Sequence, residues 1–343
     1  MWRLPTSSLF FYKSHLYIMK QFSVTQLLEM VNSYIAGIPY GKAKGLYEPI
    51  SYELSLGGKR IRPVLMLMAY NLYKEDVDSI LPQAVGLEVY HNHTLLHDDL
   101  MDNADMRRGK PTVHNLWSDN TAILSGDAML ILAYRLMADC SADKLQGVLD
   151  VFTKTTLEIC EGQQYDMEFE TRMDVSVDEY IEMIRLKTSV LLAAALKIGA
   201  CMAGASKEDS EKLYDFGVKM GLAFQLQDDF LDVYGKPEEF GKNIGGDILC
   251  NKKTYMLITA LAQANPEQKA ELDYWLTACD YLPEEKIAAV TRIYNQIGID
   301  SQCKRLIDDY YTQGLAVLDD VAIPTEGKET LRTFVCSMMK RKV

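Results

Sequence analysis

Two copies of one acidic pentapeptide, Asp98-Asp99-Leu100-Met101-Asp102 and Asp228-Asp229-Phe230-Leu231-Asp232, lie 130 residues apart in this 343-residue chain. Each reads D-D-x-x-D, and each falls in or at the end of a stretch with helical periodicity. On an α-helix, positions i, i+1 and i+4 share an arc of about 100°. Three carboxylates crowded that closely repel one another, and a divalent cation relieves the repulsion. Mg²⁺ takes oxygen ligands octahedrally and binds one or two carboxylates together with waters and substrate phosphates. Two such helices facing each other would hold a diphosphate between them through bridging metal ions. One copy alone would read as a solvated helix face or a first turn, where acids favour the helix dipole. Two copies, each followed by a cationic, glycine-containing segment, shift the balance toward a site.

The rest of the chain supplies helices to carry that site. Ser23 with Gln26 forms a capping box ahead of Leu27, Leu28, Val31 and Ile35 at helical spacing. Ser176 with Glu179 does the same for a long helix running through Tyr180, Ile184 and Leu192 toward Gly204. Pro63 sits where a first helical turn begins. Gly and Pro mark loops at 103–112, 235–246 and 322–327. Strand signals are sparse and no linker divides the chain. The expectation is one all-α domain of ten or more helices over residues 19–343.

Charge and cysteine content narrow the function. The net charge of −12 and pI near 5.0 argue against a nucleic-acid surface. An acidic protein handling an anion must concentrate its few cations locally. Seven cysteines, an odd number with no C-x-x-C, predict reduced thiols in a cytoplasmic protein, mostly filling the core. The apolar run Val190–Leu196 is cut by Lys197, short of the ~20 residues a membrane span needs. Residues 1–18 contain apolar runs interrupted by Lys13 and His15, and no small-residue cleavage site follows. They read as an N-terminal extension upstream of an ordinary start at Met19.

Three cationic segments accompany the acids. Gly57-Gly58-Lys59-Arg60-Ile61-Arg62-Pro63 puts three cations at a glycine turn entering a helix, where the backbone can approach an anion closely. Arg107-Arg108-Gly109-Lys110-Pro111 follows the first acid cluster by five residues. Lys242, Lys252 and Lys253 follow the second. Lys187 interrupts an apolar helical run, a costly position unless the ammonium meets an anion or snorkels to the helix edge.

Taken in order, GGKRIRP, ExxHxxxLxHDDLMDNADMRRGKPT, GQxxD, KT, FQLQDDFLD, GKNIGGD and the KKT segment resemble the trans-isoprenyl diphosphate synthases, or polyprenyl synthetases. The resemblance covers nearly the whole chain from about Met19. It implies a single large bundle of about ten core helices around a deep central cavity, assembled as a homodimer. It also implies head-to-tail condensation of isopentenyl diphosphate with an allylic diphosphate, dependent on Mg²⁺ at three ions per active site. Residue by residue, Asp98, Asp102, Asp228 and Asp232 resemble metal ligands or close supports, with Asp99 and Asp229 beside them. Gln163 and Asp166 match the segment lining the same site. Arg107, Lys187, Gln225, Lys242 and Lys252 resemble the grip on the allylic diphosphate. Lys59, Arg62, His91 and Arg108 resemble the isopentenyl pocket, and Lys340-Arg341-Lys342 the basic tail that closes over it.

The chemistry asks for this division. Metal and cations stabilise charge building on the departing diphosphate, and an apolar cavity shields the allylic cation from water. Lys187 and Thr188 sit where a helix presents a carbonyl and a hydroxyl toward that cation. The departing diphosphate can take the final proton, so His97 reads as a support for Asp98 and not as a catalyst. A class I terpene cyclase is disfavoured because the second motif repeats D-D-x-x-D. A silent regulatory subunit is disfavoured because both clusters are intact.

Product length is read from the residues before Asp98, which lie deeper at ~1.5 Å per residue. In the resembled family a large aromatic four or five positions before the motif stops growth early. Here those positions hold Thr94 and His93, and the motif lacks the two-residue insertion of bacterial farnesyl-type enzymes. Tyr90, roughly 12 Å from the metal end, is the nearest large floor. The expectation is farnesyl or geranylgeranyl diphosphate, with the longer product favoured.

Overall fold

The computed structural model describes residues 19–235 and 244–339. The N-terminal extension, Lys242 and the tail Lys340-Arg341-Lys342 lie outside the described residues. Helices dominate. The first three are α1 (Val24–Ala36), α2 (Lys44–Ser55) and α3 (Ile61–Asn71), followed by α4 (Leu81–Met101). A two-residue antiparallel hairpin, β1 (Met106–Arg107) with β2 (Lys110–Pro111), pairs Arg107 with Lys110. Then come α5 (Val113–Leu116), α6 (Asp119–Met137), α7 (Ala142–Thr171), α8 (Val177–Ile184), α9 (Val190–Ala203) and α10 (Lys207–Tyr234). Further helices follow to Met339, the longest of them Ile299–Asp319. Both capping boxes form as read from the sequence, at Ser23–Gln26 and Ser176–Glu179.

α4 is central because it is buried all round from Gln83 to Tyr90. Ala84, Val85, Leu87, Val89 and Tyr90 are all buried, so it packs against both α3 and α6. α9 is likewise buried and lies against α3, α7 and α10. The stretch Val177–Ala203 is long and apolar enough to cross a membrane, yet 72% of its apolar window is buried inside the protein. It is a core helix of the bundle.

That stretch is not regular throughout. Between α8 and α9, residues Arg185–Ser189 wind as one π-helical turn. Two glycines make room for it: a side chain at Gly162 on α7 would strike the Lys187 backbone, and one at Gly221 on α10 would strike Ser189. The π-turn is therefore wedged between α7 and α10.

The cysteines depart from expectation. Only Cys303 is buried, whereas Cys160, Cys250 and Cys279 are exposed. The core is instead filled by Leu, Ile, Val, Ala and aromatic side chains.

Candidate active site

Both acidic clusters sit in the last turns of their helices. Asp98–Asp102 ends α4, and Asp228–Asp232 lies just before the end of α10 at Tyr234. Helix C-termini carry the negative end of the dipole, so the fold adds backbone repulsion to the repulsion among the carboxylates. This is the reverse of the first-turn placement that would have explained the acids structurally.

Within each cluster the three aspartates are not equivalent. Asp98 is half-buried and lines a cavity. Asp102 has its carboxyl pushed above the usual range by partial burial and by Asp98, Asp166 and Glu170, with Lys187 opposing. Asp99 is only 4% exposed, and Arg107 grips it through two hydrogen bonds, each 2.6 Å. Asp229 is also 4% exposed and accepts from Tyr180 Oη and from Gln225 Nε2. Asp232 is raised by burial and Asp229, although it accepts the Asp247 backbone N–H at 2.9 Å. Asp99 and Asp229, grouped with the metal ligands by spacing, are turned inward and engaged by protein donors. Arg107, read as a phosphate grip, is committed to Asp99 and ties the hairpin down on α4.

The π-turn connects the clusters. Lys187 Nζ reaches Asp166 Oδ2 at 2.6 Å and Asp98 Oδ1 at 3.4 Å. Burial works to lower the Lys187 pKa, but Asp166 and Asp98 outweigh it and the ammonium stays charged. Lys252 lies on the other side. Burial lowers its pKa too, and Asp229, Asp247, Asp166 and Asp232 together raise it above the ordinary value. Asp166 thus acts on both lysines, between the two clusters. Thr188 Oγ1 donates to Gln225 Oε1 at 3.1 Å, and Gln163 lies beside Met101.

The second cationic group gathers around the glycine turn. Arg62 Nη1 donates to His91 Nε2 at 3.0 Å, and burial draws Arg62 down to about 10, with Glu88 opposing. Burial, then Arg62, Arg108, Arg107 and Arg60, hold His91 well below its usual pKa, so it is neutral. Arg108 donates to the Gly57 carbonyl and lies against Gly58, where any side chain would collide with the guanidinium. Both glycines hold positive φ, 81° and 132°. Arg62 Nε has no hydrogen-bond partner among the described residues. Arg60 is different: it is 4% exposed, pairs with Glu88 at 2.8 Å and donates to the Leu54 carbonyl, and so braces the turn from within. Lys59, in the same turn, is exposed.

Below the clusters a cavity of about 340 Å³ runs between α4, α7 and α9. Tyr90, His93, Thr94, Ile159 and Leu191 are among its lining residues. Tyr90 is held rigidly at its end. Its Oη donates to the Thr156 carbonyl at 3.3 Å and its ring meets Phe152 edge-on at 5.4 Å, with Tyr134 on the far side of Phe152. His93 lies edge-on to His97 and tilted against Tyr90, and burial with His97 lowers its pKa to about 4. A neutral imidazole leaves the wall without charge. His97 packs onto Gly126 and donates to the Ile123 carbonyl, away from the acidic clusters.

The donor set fits a hard divalent cation. Its oxygens carry charge that burial and crowding make unfavourable, yet no group of three metal-ligating side chains forms a ready cage among the described residues. That combination suits Mg²⁺, which binds few protein ligands and shares substrate phosphates. Sequence reasoning missed Tyr180 and Glu53, and it grouped Arg60 and Lys253 with the anion-facing cations. All four are buried, and Arg60 and Lys253 spend their donors on protein acceptors, Glu88 and the Leu54 carbonyl for Arg60 and the Glu170 and Asn251 carbonyls for Lys253.

The fold and site define an all-α enzyme with a metal-ready cleft, two cationic pockets and an apolar channel beneath. A family model described as polyprenyl synthetase matches residues 43–297. The geranylgeranyl diphosphate synthase of Methanosarcina mazei is 39% identical over 284 residues, 82% of this chain and 86% of that one. A crystal structure of a geranylgeranyl pyrophosphate synthase superposes with a TM-score of 0.90 at 43% identity, covering 94% of this chain and all of the other. A polyprenyl synthase from Caulobacter crescentus, solved with calcium and isoprenyl diphosphate, superposes with a TM-score of 0.81 at 29% identity, covering 94% and 99%. The chain belongs to the polyprenyl synthetase family and is a prenyltransferase.

Proposed function

We propose that this protein condenses isopentenyl diphosphate head-to-tail with an allylic diphosphate, using Mg²⁺, and releases an all-trans product of geranylgeranyl length. The observation that carries this reading is the position of Lys187. It joins Asp98 to Asp166 at the head of an apolar cavity, opposite Lys252 and the second cluster. Asp98, Asp102, Asp228 and Asp232 would hold three Mg²⁺ ions with the allylic diphosphate. Bound there, Mg²⁺ supplies electrophilic stabilisation of the charge that builds on the leaving group.

This chain's own residues do the rest. Lys187 and Lys252, with Lys242 outside the described residues, neutralise the departing diphosphate. Lys59, Arg62, His91 and Arg108 hold isopentenyl diphosphate beside it, and Arg341, outside the described residues, would add a cation to that phosphate grip. The orphan Nε of Arg62 suits an incoming phosphate oxygen. Thr188 and the π-turn border the allylic carbon, and the cavity walls exclude water from the cation. The diphosphate accepts the final proton, so no side-chain base is needed.

The growing chain enters the cavity between Thr94 and His93 and stops at Tyr90. The exposed apolar residues Ile123, Leu124 and Ile131 on α6, with Leu157 on α7, favour a homodimer. A cytoplasmic location agrees with seven unpaired cysteines. Incubation with dimethylallyl and isopentenyl diphosphates plus Mg²⁺, followed by product sizing, tests the reading. Geranylgeranyl diphosphate is expected; a cyclised hydrocarbon or no condensation would overturn it.

A further inference from the structure

Tyr180 is a buried phenol that the reaction as described leaves without a task. It lies on α8 in an apolar cluster with Phe169, Met183 and Phe230. A phenylalanine would fill that space equally well, so the hydroxyl is what calls for explanation. Tyr180 Oη donates to Asp229 Oδ2 at 2.5 Å, and Gln225 Nε2 donates to Asp229 Oδ1 at 2.9 Å. With its amide N–H spent on Asp229, Gln225 turns its oxygen to Thr188 Oγ1, 3.1 Å away. The chain of bonds runs Tyr180, Asp229, Gln225, Thr188.

Its two ends belong to one continuous helical stretch, and the π-turn Arg185–Ser189 begins between them. The middle belongs to α10. The chain is therefore a staple that fastens α8 and the π-turn after it to the second acidic cluster. Lys187 sits inside the stapled interval and points the other way, to Asp98 and Asp166. Irregular π-helical turns commonly mark functional sites, and this one is tied from outside its own helix through Thr188 to Gln225.

We infer that Tyr180 is a positioning residue for the ionisation step. Through Asp229 and Gln225 it sets where Lys187 and Thr188 meet the allylic diphosphate. The inference rests on the condensation reading above, and it predicts an asymmetric effect. The isopentenyl pocket is built on α3, α4 and the hairpin, so it should not sense the loss of this hydroxyl.

Tyr180→Phe keeps the ring and removes only the donor. Its kcat should fall about tenfold or more, the scale on which small misplacements of reacting groups act. The KM for the allylic substrate should rise while that for isopentenyl diphosphate stays within about twofold of wild type. Thr188→Val should cost less in the Tyr180→Phe background than in wild type, because the two positions share one chain. Binding of an unreactive allylic diphosphate analogue with Mg²⁺ should also weaken several-fold in Tyr180→Phe. That readout needs no turnover, and failure of the wild-type protein to condense its substrates would overturn the reaction reading separately. Unchanged kcat and analogue binding, equal shifts in both KM values, or simple additivity with Thr188→Val would each overturn the role assigned to Tyr180.

Discussion

The first and second acidic clusters share a sequence and differ in how the protein holds them. In the first, the inward aspartate, Asp99, is met by a cation, Arg107, delivered by a hairpin. In the second, the inward aspartate, Asp229, is met by neutral donors, Tyr180 and Gln225, from the helical scaffold itself. One cluster is fastened to a loop and the other to the core. Both clusters stand at the negative end of a helix; in the first Asp98 lines the cavity and pairs with Lys187, and in the second Asp232 accepts the Asp247 backbone N–H. The comparison teaches that the acids of D-D-x-x-D are not equivalent: the middle acid anchors, and under the proposed function the flanking acids would serve the ligand.

The largest expected effect concerns the outer acids of both clusters together. Removing Mg²⁺ by chelation should abolish turnover while circular dichroism keeps its helical signal, because the cation serves the reaction and the packed core holds the helices. Substantial condensation in the presence of excess chelator would break the account.

The middle acids come next, and they should separate the two clusters by stability. Asp99→Ala leaves a partly buried guanidinium without its carboxylate and should cost about 2–3 kcal/mol. Asp229→Ala strands a buried phenol donor and should cost about 1–3 kcal/mol. Denaturant titration measures both. Asp98→Ala, by contrast, should leave stability unchanged or raised, since it removes repulsion. A large loss there would erase the distinction between anchoring and ligand-facing acids.

Glu53 sharpens the comparison on the loop side. It is buried beneath Arg107, Arg108 and Arg60, and burial pushes its carboxyl up to about 7, with Arg107 opposing and Asp99 reinforcing. Its folded pKa is above its unfolded one, so its stabilising contribution is complete below about pH 4.5. That contribution is lost as pH rises through about 7. Glu53→Gln should therefore lose less stability than wild type over that interval. Melting curves against pH would show it, and identical slopes would contradict the burial argument.

The smallest free-energy effect, though a visible one, falls on product length. Tyr90→Ala should lengthen the product by opening the floor, and His93→Phe should shorten it by filling the upper cavity. Neither should move the metal requirement. If neither changes the product distribution, Tyr90 is not the floor.

Much of this was legible from residue spacing. The long helices, both capping boxes and the paired clusters follow from periodicity, because amphipathic faces and caps are local properties. The inward turn of Asp99 and Asp229 was not. Spacing alone puts three carboxylates on one arc, and which one is buried depends on Arg107 and Tyr180, whose reach is tertiary. The π-turn was invisible for a similar reason. The room it occupies is left by Gly162 and Gly221, on two other helices, whose closeness to it only the fold shows. Arg60 looked like a phosphate ligand beside Lys59 and Arg62, but its left-handed backbone, φ 47°, aims it into the core at Glu88. Only folding separates cations that bind from cations that brace.

The division of labour within the clusters is tested most directly by one set of steady-state rates. Condensation of dimethylallyl and isopentenyl diphosphates with saturating Mg²⁺ would be measured for wild type, Asp98→Ala, Asp228→Ala and Asp99→Asn. Both outer variants should lose on the order of 10³-fold in kcat, as expected when transition-state charge stabilisation is removed. Asp99→Asn, which keeps a hydrogen-bond acceptor for Arg107, should lose far less. A near-normal rate in either outer variant, or a loss in Asp99→Asn as deep as theirs, would contradict the account.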